Sequence, residues 1–161
     1  MRRTTAEPDD PRAARKAALD ALARRDHASA ELRGWLEERG YAAAVAESVV
    51  AALREERLLD DQRYVEHFIA YHAGRGQGPL RVRAELGRKG VAGELVERAL
   101  QSFGDWPAVL EAARRKKFGA GRPASFAERA RQARFLGYRG FTGAQIRRAL
   151  GSDVETEDVD I

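Results

Sequence analysis

The chain has 161 residues, with 29 Lys and Arg against 25 Asp and Glu, no Cys, and 43% apolar residues, among which 30 Ala predominate. That composition permits one or two compact units with a thin core of close-packed helices, and it excludes disulfides, thiolate nucleophiles and Cys-based zinc sites. No apolar run reaches bilayer-spanning length, and the start Met1-Arg2-Arg3 leads into polar Thr4-Thr5, so neither a membrane span nor a signal peptide is expected and a cytoplasmic location is.

In chain order, residues 1–11 read as a disordered tail, and Ala17 to Ala23 as a first helix. Leu32, Trp35 and Leu36 then share one helical face that ends at Gly40, where Gly suits the left-handed position after a helix C-terminus. Val45, Val49, Val50 and Leu53 recur at helical spacing after it, giving a third helix and a first three-helix repeat over 12–61.

The same unit returns twice. Gly40, Gly90 and Gly140 are spaced by fifty, with Leu36, Leu86 and Leu136 four residues earlier, and Tyr41, Val91 and Phe141 one residue later. In the second repeat, 62–104, Asp60 or Asp61 is suited to cap a helix over Tyr64 to His72, and Gly78-Pro79 places Pro in the first turn of the next. Gly74-Arg75-Gly76-Gln77-Gly78 between them reads as a flexible hinge. On that reading Gly90→Ala costs about 1 kcal/mol, and Gly76→Ala less. The third repeat, 105–151, begins with a helix over Trp106 to Lys117, absorbs a change of register in Gly119 to Ala124, and restarts at a capping box, Ser125-Phe126-Ala127-Glu128. Phe126, Ala130 and Ala133 are assigned its inward stripe. The result is an all-α fold, nine helices in three tandem three-helix repeats, expected to be elongated and curved.

Charge is segregated along this framework. Residues 12–73 carry ten basic and eleven acidic groups, residues 74–151 carry seventeen and six, and residues 152–161 carry five acids alone, a segment that reads as a disordered tail serving solubility. The basic half is drawn to polyanions. The candidate contacts are Arg114, Arg115, Lys116, Lys117, Arg122, Arg131, Arg134, Arg147 and Arg148 of the third repeat, with Arg75, Arg81, Arg88 and Lys89 of the second. Pairing of some of them with Glu111 or Glu128 is the competing reading.

Catalytic chemistry finds no footing. His67 and His72 are five apart and miss the helical spacing that shares a metal, and Asp60-Asp61 suits a helix start better than Mg²⁺. Gly74 to Pro79 lacks the strand before it and the Lys-Ser/Thr after it that a phosphate loop uses. No catalytic, metal or cofactor residue is assigned, and the chain reads as a non-enzyme.

Three separated strings resemble the RecX family: Leu58-Leu59-Asp60-Asp61-Gln62-Arg63-Tyr64; Gly76 to Val91, GQGPLRVRAELGRKGV; and Arg131 to Phe141, RQARFLGYRGF, followed by Ile146 to Leu150. The likeness runs from about Ala17 to Leu150. It implies a regulator of the RecA recombinase that binds in the groove of the RecA–DNA filament, contacts protein and nucleic acid there, and damps ATP hydrolysis and strand exchange; a monomer that meets single- or double-stranded DNA through its basic half is expected. Asp26-His27-Ala28-Ser29 departs from the family pattern, in which Ser directly follows the basic or polar pair. A helix-turn-helix DNA-binding regulator and a scaffold without a nucleic-acid role are the alternatives from other classes.

Overall fold

The computed structural model describes residues 7–151, and among them the backbone forms nine α-helices and no strand. They are α1 (Pro11–Arg24), α2 (Ser29–Glu38), α3 (Ala43–Glu55), α4 (Asp61–Gly74), α5 (Pro79–Arg88), α6 (Gly93–Phe103), α7 (Trp106–Phe118), α8 (Phe126–Tyr138) and α9 (Gly143–Leu150). Residues 1–6 and the acidic tail at 152–161 lie outside the described residues.

The period of fifty appears directly in the backbone. Gly40, Gly90 and Gly140 take φ of 96°, 74° and 94°, the left-handed region that a side chain disfavours. At the first and third of them two carbonyls of the preceding helix are satisfied. Tyr41 N–H donates to Leu36 O at 3.2 Å and Gly40 N–H to Glu37 O at 2.9 Å, while Phe141 donates to Leu136 at 3.2 Å and Gly140 to Gly137 at 3.0 Å. This is the Schellman arrangement.

Helix starts are set by side chains that sequence only partly locates. The Asp10 carboxylate accepts from the N–H groups of Arg12 (2.9 Å) and Ala13 (3.2 Å), so α1 begins at Pro11 rather than at Ala17. Pro8 O takes the Ala42 N–H at 2.9 Å, tying residues assigned to a tail to the turn after Gly40. The Asp60-Asp61 pair divides its work. Asp60 Oδ1 accepts from Arg63 N–H at 3.0 Å and caps α4, whereas Asp61 Oδ1 accepts from Ser29 N–H at 2.7 Å and satisfies the first turn of α2. Ser125 Oγ caps α8 through Glu128 N–H at 3.2 Å, and Glu128 returns to Ala124 N–H at 2.8 Å, one residue before the expected partner. Thr142 and Gln145 form a full capping box at α9 that the sequence reading does not include.

The chain divides into two units. The first holds α1 to α3, the opening of α4 up to Tyr64, and Arg88–Ala92; the second holds Val65–Gly87 and the chain from Gly93 onward. In the first, α1, α2 and α3 pack on one another. The buried face of α1 is Ala14, Ala18 and Ala21, small enough for close helix approach, and it meets Leu32, Leu36, Val49, Val50 and Leu53. In the second, α7, α8 and α9 pack together around Leu110, Ala133, Leu136, Phe141, Ile146 and Leu150, with Val65, Ile69, Val82, Leu86, Val96 and Leu100 buried on α4 to α6. Trp106 Nε1 donates to Leu100 O at 3.1 Å, which meets the indole's single donor requirement inside the core.

Each unit also contains a junction between consecutive repeats, in which the start of a second helix meets the Gly turn of the next copy. In the second, Gly78 N–H donates to Arg139 O at 2.7 Å and Leu80 N–H to Gly140 O at 2.9 Å, so the electropositive start of α5 abuts the carbonyl end of α8. In the first, the start of α2 faces the Gly90 turn, where an added Cβ would come within 2.8 Å of Ala30 Cβ. The stretch before Gly78 is not the flexible hinge expected. Gly76 has φ 75°, Gly76 N–H donates to Ala73 O at 2.9 Å and Gln77 N–H to His72 O at 3.1 Å, making a second Schellman-type stop inside the repeat. Its Cβ position lies 3.2 Å from Ala113 Cβ, so Gly76→Ala is strained as well.

Candidate nucleic-acid interface on the third repeat

The third repeat concentrates cations at the end of α7, in the following loop and on α8 and α9. Arg115, Lys116 and Lys117 occupy the last turn of α7, where positive charge complements the helix dipole, and Gly119 at φ 84° stops the helix. Arg114 does not belong to that surface. It is 4% exposed, because Trp106, Leu110 and Arg114 follow one another at four-residue spacing along the buried face. Its Nε and Nη2 grip Glu111 at 2.9 and 2.8 Å, and its Nη1 donates to Gly121 O at 3.0 Å. The guanidinium therefore fastens the loop rather than meeting a ligand, and Arg114 leaves the set of candidate contacts.

Glu111 neutralises a second cation, since Arg115 Nε also donates to it at 2.8 Å. The hydrogen bond from Arg114 holds the Glu111 carboxyl down at about 2; burial opposes the shift and Arg115 reinforces it. Glu128, the other acid considered as a partner, is engaged by Ala124 N–H. Pairing thus accounts for Arg114 and Arg115, and the remaining positions differ. Lys116, Arg122, Arg134 and Arg148 are exposed and form no ion pair among the described residues. Lys117 Nζ lies 5.9 Å from the Phe135 ring centre, and Arg131 lies 5.3 Å over Phe118. Arg147 is exposed on α9.

Fastened by Arg114, the loop holds Arg122 at the centre of this group. Arg122 borders three neighbouring clefts: one with Lys117 and Arg131, one with Arg115 and Arg129, and one with Arg148. Arg129 is a cation that the sequence reading omits, because the stripe through Phe126, Ala130 and Ala133 leaves it unassigned. That stripe is itself displaced. Phe126 is 63% exposed, and the buried residues of α8 are Gln132, Ala133 and Leu136. Phe126 opens the helix one turn ahead of the packed part, so the apolar periodicity extends beyond the core that it predicts.

The second-repeat candidates are less concentrated. Arg75 donates to Tyr71 Oη at 3.1 Å, Arg81 pairs with Glu85 at 3.4 Å, and Arg88 is exposed. Lys89, half-buried in the first unit, pairs with Glu31 at 3.4 Å, and Glu31 also receives Arg25 at 2.8 Å. Burial disfavours the Glu31 carboxylate, but these cations more than offset it and lower its pKa.

No group of three or more His, Asp or Glu with metal-binding geometry exists among the described residues, and no helix there is long and apolar enough to cross a membrane. His72, which faces Gln77 and lies 3.8 Å from Glu85, is a packing residue.

Comparison with known proteins accounts for the repeat. Residues 14–53, 60–100 and 107–150 match the first, second and third three-helix domains of RecX. The regulatory protein RecX of Halorhodospira halophila is 43% identical over 147 residues, 91% of this chain and 91% of the relative. That of Pseudomonas entomophila is 43% identical over 143 residues, 88% and 92% of the two chains. These relatives are regulators and are not named for any reaction. A crystal structure of RecX from Lactobacillus salivarius shares the fold with a TM-score of 0.74 at 16% identity, over 87% of this chain and 94% of that one. A second crystal structure of regulatory protein RecX gives 0.71 at 20% identity, over 87% and 70%. With all three of its repeats matched in order and 43% identity carried over 91% of its length, the chain belongs to the RecX family of regulatory proteins.

Proposed function

We propose that this protein regulates a RecA recombinase by binding the RecA–DNA filament and slowing its ATP hydrolysis and strand exchange. The observation that carries the reading is the group of exposed cations around Arg122, on a chain whose family is regulatory. A surface of this kind gains affinity for a polyanion by releasing condensed counterions, and it steers encounter over a Debye length of about 10 Å at 0.1 M salt. Lys116, Lys117, Arg122, Arg131, Arg134, Arg147 and Arg148 are the contacts assigned to the anionic partner, with Arg75, Arg81 and Arg88 as a second group. The protein acts as a cytoplasmic monomer and needs no cofactor.

The test adds stoichiometric protein to RecA assembled on single-stranded DNA at low salt and follows ATP hydrolysis and strand exchange. Both rates are expected to fall, and the effect to weaken as salt rises. Unchanged rates at low salt overturn the proposal and favour a DNA-binding regulator that acts without RecA.

A further inference from the structure

The cleft between the end of α7, the Arg122 loop and α8 has a composition that plain electrostatic attraction does not require. Its volume is about 360 Å³, within the range of small-ligand clefts of about 300–1,000 Å³. Lys117, Arg122 and Arg131 bring three cations to its lining, and the single acid, Glu128, already accepts from Ala124 N–H. Phe118 adds an aromatic ring with the planar Arg131 guanidinium over it at 5.3 Å. The remaining polar side chain is Gln132, 6% exposed, whose Oε1 has no hydrogen-bond partner. A buried amide oxygen without a donor is uncommon in folded proteins, where such groups are paired with protein or water. An N–H group entering the cleft would supply the missing donor, once the amide turns about its soft terminal torsion.

We infer that this cleft binds one nucleotide of a single-stranded nucleic acid, with the phosphate on Lys117 and Arg122, the base stacked on the Arg131–Phe118 pair, and a base N–H donated to Gln132. Each part answers to known recognition chemistry: unstacked bases lie on aromatic rings or guanidinium planes, amides read base edges, and Arg and Lys hold the backbone. Duplex DNA does not fit the same description, since its bases are stacked within the helix and only their edges face the grooves. A strand is favoured over a free nucleotide because Lys116 and Arg134, exposed and without an ion pair among the described residues, extend the cationic surface for neighbouring phosphates. This deepens the proposed function by giving the regulator a direct grip on the exposed strand, yet it stands or falls without RecA.

The experiment measures anisotropy of a labelled oligodeoxythymidylate, an abasic oligomer with the same number of phosphates, and thymidine monophosphate as competitor, using the full chain alone. Thymine carries the required N–H. The thymidylate oligomer is expected to bind roughly tenfold more tightly than the abasic one, the ratio a single stacked base supplies. Gln132→Leu should shrink that ratio while leaving abasic binding intact. Arg122→Ala, an exposed loop change that leaves the core untouched, should weaken both oligomers. Equal affinity of the wild type for the two oligomers, or a full base preference retained by Gln132→Leu, overturns the inference. An oligomer that binds no better than thymidine monophosphate overturns the assignment to a strand. RecA enters none of these measurements, so their failure is distinct from unchanged filament ATPase, which tests the regulatory reading.

Discussion

Gly140→Ala tests the contact between consecutive repeats most sharply. The new Cβ would lie 2.5 Å from Arg81 Cβ and 2.7 Å from Arg81 N, inside any normal separation, at a residue whose φ of 94° already disfavours a side chain. The left-handed conformation costs about 1–2 kcal/mol. Relieving the clash moves α5 away from the turn and stretches the two backbone bonds, Gly78 N–H to Arg139 O and Leu80 N–H to Gly140 O, worth about 1 kcal/mol each. The sum is about 3–4 kcal/mol. With a urea m-value of about 1.5 kcal/mol/M, the midpoint falls by about 2 M. Trp106 is buried in the second unit and Trp35 lies in the first, so variants that retain one Trp report on each unit by fluorescence. Gly78→Ala strikes the same contact from the other side, its Cβ 2.5 Å from Gly140 O, so the double variant should cost clearly less than the sum of the singles. Gly34→Ala is the opposing control. It lies in the middle of α2 with nothing within 4 Å of an added Cβ and should stabilise by about 1 kcal/mol. A Gly140→Ala midpoint equal to wild type would refute the reasoning.

Other consequences are open to equally direct measurement. Arg114→Ala should destabilise by about 2 kcal/mol in a melt and speed amide hydrogen exchange over 119–124, because the loop loses its tether to Gly121. Glu111 titrates near 2 when folded against an ordinary value of 4.5, so its contribution is complete above pH 4.5 and disappears as pH falls towards 2. At face value that shift is worth about 3 kcal/mol, but the carboxylate is 40% exposed and solvent screening reduces it to about 1 kcal/mol, which Glu111→Gln should remove from the acid limb of a stability–pH profile. Burial, aided by the Arg25 charge, lowers the pKa of His27, whose Nδ1–H donates to Arg25 O at 3.0 Å. The unfolded chain then takes up the proton more readily, so stability is lost as pH drops below 6.5, and His27→Asn should flatten that part of the curve. Replacing Lys116, Lys117 and Arg122 together with Ala should weaken binding to single-stranded DNA and lower the salt slope by about 0.7 for each phosphate no longer neutralised, with helicity unchanged in circular dichroism.

What can be read from the sequence depends on the range of the interaction responsible. Gly40, Gly90 and Gly140 are legible because the left-handed turn is a local demand that few residues other than Gly meet, and its recurrence every fifty residues marks the copies. The bond from Asp61 to Ser29 crosses 32 residues, and nothing in either local pattern announces it. Arg114 is hidden within a run of four cations, although its spacing from Trp106 and Leu110 is a usable signal: a charge on the apolar face calls for a buried partner, and Glu111 lies three residues away. Phe126 misleads in the opposite direction, since periodicity defines a face of a helix without saying how far along its axis the core extends. The cleft at Gln132 combines residues 117–118, 121–122, 128 and 131–132, and only the fold makes them one site.

The start of α5 on the Gly140 turn also gives the repeat array a direction. Two N–H groups that an isolated α5 would leave bare are covered by the copy that follows, so deleting the third repeat should injure the second, whereas α8 carries its own Ser125 cap and an extra first turn and needs no following copy to cover its start. Dependence on a following copy is therefore written into the termini of individual helices. Grafting a fourth unit would require trimming α8 back to the length of α2 and α5, and truncation from the carboxyl end should prove progressively harmful, each loss uncovering the helix before it.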